Sequence, residues 1–164
     1  LYPMELLFHR GRLSIAGVNK KGIIIILTLE KSLQFSVTAE KFNRKKYEVA
    51  YHAYMKKLYG ISAPINDKIY NIKIEFTESY GNSFKNFFWH ESQRWEQLAN
   101  GNYMLHFHCS IGRELIGFLA LGLSKVKVHS PVILKNILIK KLQESIDVYK
   151  TNKPLDEEIA NKGL

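Results

Sequence analysis

The chain has 164 residues, enough for one domain or two small ones with real hydrophobic cores. Hydrophobic residues make up 46% and aromatics 12%, a composition that argues against a disordered chain. The net charge of +9 is uneven: residues 1–67 hold eleven Lys/Arg against five Asp/Glu, and residues 68–164 hold thirteen against ten. That asymmetry points to a polyanion-facing surface on the first half, the alternative being a basic protein whose charges are merely solvated.

Met4–Phe8 and Arg12–Val18 are predicted strands joined by the tight turn His9-Arg10-Gly11, where Gly supplies positive φ. Val18–Gly22 is the next turn, and Gly22–Leu29 is a β-branched run suited to a central strand. Leu33, Phe35 and Val37 alternate with Gln34, Ser36 and Thr38, as in a half-buried fourth strand. Four short strands with tight turns predict a small barrel or strongly twisted sheet, with one further strand expected upstream. The chain begins at Leu1 and reads as a piece of a longer protein.

Between Thr38 and Gly60 the period changes. Tyr47, Tyr51, Tyr54, Met55 and Leu58 share one helical face, while Lys45, Lys46, Lys56 and Lys57 lie on the other. Gly60 is the expected helix stop, Ser62–Asp67 the linker, and residue 65 the approximate domain boundary. Beyond it the order is βαββαβ plus a final helix. Tyr70–Phe76, Asn102–Cys109 and Lys125–Val128 are strands, with Ser92 and Gln93 serving backbone groups at the start of another. Tyr80–Phe88 and Arg113–Leu121 are helices, and the aromatic set Tyr80, Phe84, Phe87 and Phe88 is expected in the core around Trp89. Ser130 and Pro131 are placed at the N-cap and first position of the last helix, whose buried stripe is Leu134, Ile137, Leu138 and Leu142. This order predicts a ferredoxin-like sheet with one helical face, followed by a loose tail over residues 151–164.

The lone Cys109 has no partner for an internal disulfide, which favours a reducing, intracellular setting. It alternates with His106 and His108 and so should face the opposite side of its strand; no second Cys or Cys-x-x-Cys completes a zinc set. His52 and His129 complete the histidines of interest, and no nucleophile elbow supports a hydrolase triad. The longest apolar run, Ile23–Leu27, is far short of the roughly 20 residues that span a bilayer.

Several phrases then fall in order. Trp89-His90, Ser92-Gln93, Asn100-Gly101, Glu114-Leu115, Gly122 and Pro131 resemble the C-terminal extension of WYL-domain transcriptional regulators. Pro3–Leu6, Gly11–Gly17, Leu29–Leu33 and Phe42 resemble the WYL domain itself, so the likeness covers roughly residues 1–150. The name-giving triplet is replaced by Leu13-Ser14-Ile15, and Glu30-Lys31 stands where the family has Asp-Arg. The resemblance implies a small SH3/Sm-like β-barrel over residues 1–65 and the ferredoxin-like extension over residues 66–150. It further implies a homodimer joined to a DNA-binding head outside this chain, while the residues themselves point to a cytoplasmic, non-enzymatic protein without cofactor or metal and independent of membranes. The implied ligand is a nucleic-acid or nucleotide-like anion, held by His9, Arg10, Arg12, Lys20, Lys21 and Lys31. Ser14 either donates to a phosphate oxygen or is a small outward-facing strand residue. A pure dimerisation module with a lost ligand site is the alternative, and a hydrolase or nuclease using His and Glu the more distant one.

Overall fold

The computed structural model describes residues 1–29, 34, 36 and 38–151, and within them the chain is a mixed α+β protein with two antiparallel sheets. The first sheet has the order β1 (Tyr2–His9), β2 (Arg12–Val18), β3 (Ile24–Thr28). Helix α1 (Lys45–Lys56) packs on one face of it. The second sheet, in the order β5-β6-β4-β7, is built from β4 (Tyr70–Phe76), β5 (Arg94–Gln97), β6 (Tyr103–Cys109) and β7 (Val126–Ser130). Helices α2 (Glu78–Phe84), α3 (Arg113–Leu121) and α4 (Val132–Lys150) accompany it. None of the described helices is long and apolar enough to cross a membrane.

Register decides which residues meet in the first sheet. The rows Glu5–Ala16–Ile26 and Leu7–Ser14–Thr28 point toward α1, where Met4, Ala16, Val18 and Tyr51 form a small core. Tyr51 donates to Glu5 across this face at 2.6 Å. The intervening rows, Leu6–Ile15–Leu27 and Gly17–Ile25, point the other way, as do Phe8 and its partner Leu13. The face under α1 thus mixes apolar residues with Glu5, Ser14 and Thr28, whereas the opposite face carries no polar side chain in these rows. The expected fourth strand, Leu33–Val37, lies largely outside the described residues.

The second sheet buries one face. Ile72, Ile74 and Phe76 oppose Phe107, Leu105 and Tyr103, and Leu115, Leu119, Leu134 and Leu138 of α3 and α4 join the same core. Trp89 closes it, edge-on to Phe118 at 4.3 Å between ring centres, with its indole N–H donating to the Phe84 carbonyl. The other face carries Lys73, His106, His108, Arg94, Lys127 and His129.

Several expectations shift. Helix α2 ends at Phe84, so Phe87 and Phe88 are exposed rather than in the core; the Phe87 N–H and carbonyl serve a turn through Phe84 and Gln93. Ser130 belongs to β7, its hydroxyl donating to the Asn71 carbonyl, which leaves Pro131 as the N-cap of α4. Leu134 and Leu138 are buried and Ile137 partly so, but Leu142 is more than a third exposed, because α4 runs on past the sheet. Helix α1 stops at Lys56, four residues before Gly60. Ser62–Asp67 is not a free linker either. Ile65 N–H donates to the Ile111 carbonyl, and Pro64 bridges to Gly112.

Candidate functional site

The hairpin between β1 and β2 has a two-residue loop, Arg10-Gly11, with both residues at positive φ (49° and 78°). This is the primed turn that suits the strand twist, and Gly11 makes it accessible. Arg10 pays the steric cost of the left-handed region, and the turn directs it and His9 toward α3. There both meet one carboxylate. Glu114 Oε1 lies 2.5 Å from His9 Nε2 and 3.8 Å from Arg10 Nε.

The other Glu114 oxygen accepts the N–H groups of Ile61 and Ser62, at 2.5 and 2.9 Å. The Glu114 N–H, in the first turn of α3, donates to Ser62 Oγ in return. This reciprocal pair works like a capping box drawn from two distant segments. Gly60, at φ 74°, makes it possible, since a Cβ there would run into the Glu114 carboxylate. Burial pushes the Glu114 carboxyl pKa upward, but the Ser62 and Ile61 N–H groups and then His9 outweigh it, and the net shift is downward.

A second tie lies beside the first. Buried His90 has Nε2 2.8 Å from the Lys56 carbonyl and Nδ1 2.8 Å from Ser92 Oγ. The carbonyl requires a donor and the Ser92 N–H requires an acceptor, so the ring is held as the Nε2–H tautomer. Gln93 Oε1 accepts the N–H groups of Trp89 and His90, as expected of a residue serving local backbone. Ser110 donates from both N and Oγ to the Lys57 carbonyl. The Trp-His-x-Ser-Gln phrase thus fastens the end of α1 to the second sheet.

The six candidate ligand residues that lie among the described residues do not form one patch. His9, Arg10 and Arg12 cluster at one end of β2, while Lys20 and Lys21 follow its other end, about 20 Å away at strand rise. Lys20 Nζ faces Glu40 at 3.8 Å, and the Lys21 N–H donates to Asn19 Oδ1. Arg12 is exposed. Ser14 is fully buried under α1, within 3.5 Å of the Thr28 hydroxyl, and so is neither outward-facing nor open to a phosphate. Lys31 lies outside the described residues. Sequence reasoning missed Glu114 as the partner of the turn; the only hints were its place in the Glu-Leu phrase and a glycine just past a helix.

Among the histidines, His106 and His108 occupy the open sheet face and Cys109 the core, so strand alternation keeps them from sharing an ion. His129 Nε2 sits 2.7 Å from Glu75, whose carboxyl is held below its ordinary range by the Asn102 amide and then His129. Burial drives the Cys109 thiol to about 12, leaving almost no thiolate near neutrality. Native protein should therefore react with a thiol reagent far more slowly than unfolded protein; equal rates would mean that the strand opens readily.

A scan against protein-family models finds no match to this chain, and neither does a search of curated proteins.

Proposed function

We propose that this chain is the ligand-sensing and dimerisation region of a cytoplasmic transcriptional regulator of the WYL-domain type, responding to a nucleic-acid or nucleotide-like anion. The first sheet serves as part of an SH3/Sm-like barrel. The strand order β7-β4-β6-β5 in a βαββαβ sequence supports a ferredoxin-like reading of the second. The observation that carries the proposal is the seating of His9 and Arg10 on Glu114. An anion that captured this turn would compete with the Glu114 carboxylate. Its binding free energy would then bias how the first sheet is held against α3, and through it a DNA-binding head outside this chain.

The test is a titration of short single- and double-stranded oligonucleotides and simple nucleotides at several salt concentrations. Affinity should fall with salt, and Arg12→Ala or Lys31→Ala should each flatten the log–log slope by about 0.9 for duplex DNA and about 0.7 for single strands. Lys20→Ala, at the far end of β2, should matter less. Binding no tighter than roughly the 10⁻⁴ M non-specific limit, or equal losses from Lys20→Ala and Lys31→Ala, would remove the sensing role. The pure assembly reading would then stand. It draws support from buried Ser14, from the division of the basic residues between two ends of a strand, and from apolar positions of α4 such as Ile139, Ile146 and Tyr149 that stay exposed.

A further inference from the structure

We infer that the outer face of the β1-β2-β3 sheet is a self-association surface, which pairs with the same face of a second copy of this chain. It deepens the dimerisation part of the proposed function and rests on no part of the anion-sensing reading.

Its basis is a conflict between pattern and cover. An antiparallel sheet with one solvated face puts polar residues on it, whereas here the polar Glu5, Ser14 and Thr28 lie on the α1 side and the other face is apolar. Only the first of these faces is covered by α1. Leu6, Phe8, Leu13 and Leu27 point outward and are 63%, 78%, 44% and 40% exposed; Ile23 and Leu1, at the opposite end, are similarly open. Leu1 lies over Gly17, whose missing side chain leaves room for it. At on the order of 200 Å² for a large apolar side chain, these six leave roughly 650 Å² uncovered per chain. That reaches the top of the range for the largest patch on a typical monomer, about 300–600 Å². Two such faces stacked about 10 Å apart would bury about 1,300 Å², within the range of stable specific interfaces.

Charge selects the occupant. The outward rows Leu6–Ile15–Leu27 and Gly17–Ile25, with Phe8 and Leu13, contain no ionisable group, while Arg10, Lys20 and Lys21 lie in the turns at the sheet's two ends. A polyanion would gain nothing from this face. A two-fold contact requires a surface complementary to itself, and a flat, neutral, apolar one meets that requirement without matched charges. The +9 on each copy opposes the pairing from the periphery. Salt should therefore strengthen this contact, the reverse of its effect on polyanion binding.

The experiment measures the mass of the full chain by light scattering at micromolar concentration. Ile146→Glu removes any contribution from the exposed end of α4. In that background the mass should remain twice 19.0 kDa, with the dimer fraction rising as salt is added. Adding Leu6→Lys and Phe8→Lys should return it to 19.0 kDa. Both positions are mostly exposed in the monomer, so its fold should tolerate the charges; Leu6→Ser with Phe8→Ser is the milder pair. A 19.0 kDa species for Ile146→Glu alone would assign the face to another occupant, such as residues 30–37 or a different protein, and overturn the inference. A dimer that survives both pairs of substitutions, or weakens with salt, would overturn it as well.

Discussion

Glu114→Ala should destabilise the protein by about 2–4 kcal/mol, because it strands the Ile61 and Ser62 N–H groups without an acceptor and frees the His9–Arg10 turn. Urea unfolding gives the stability change, and amide exchange at Ile61 and Ser62 localises it. A loss under about 1 kcal/mol, with those amides still protected, would mean that the latch holds little. Glu114→Gln separates charge from hydrogen bonding, since its carbonyl oxygen can still accept both the Ile61 and Ser62 N–H groups. The carboxyl's folded pKa lies below its ordinary 4.5, so its ionised form contributes stability that is fully present above that value. That contribution is lost as the pH falls through the depressed folded pKa. The Gln variant should therefore show a flatter acid limb than the wild type below about pH 4.5 and run parallel to it at neutrality.

The other large effect belongs to Trp89. Its ring is 7% exposed, packs edge-on to Phe118, Phe76 and Phe84, and donates its N–H to the Phe84 carbonyl. Trp89→Ala should cost about 3–5 kcal/mol, from lost burial and the cavity left between α3 and the sheet. Trp89→Phe keeps most of the packing but forfeits the hydrogen bond, for which about 1 kcal/mol is expected. Denaturant midpoints for the two variants test this ranking. Similar losses for both would shift the weight from packing to the Phe84 contact.

Strand and helix identity were legible where periodicity was strong. Arg113–Leu121 has the predicted bounds, and the alternation that buries Tyr103, Leu105, Phe107 and Cys109 is visible in the residues themselves. The Tyr80–Phe88 run misleads because four aromatics in nine residues mimic a helical stripe, while the turn capped by Gln93 ends the helix early. The site was harder to see. Composition shows that the first half is basic, but only register shows that Arg12 and Lys20 lie at opposite ends of one strand. Ser14 looks like an exposed polar residue until Leu7 and Thr28 place it in the inward row. The His9–Glu114 pair spans 105 residues, too far apart for any local pattern to join them.

Among the described residues, the core under the first sheet consists of Met4, Ala16, Val18 and Tyr51, whereas the second gathers fourteen buried residues around Trp89. Local opening free energies follow buried apolar contacts, so the two halves of the chain stand at different heights on the stability scale. The first sheet should therefore exchange its amides faster than the second, and the ties made by His90, Ser110 and Glu114 join the two. A ligand or a second copy that seated on the first sheet would add its binding energy to the half of the molecule with the smaller core.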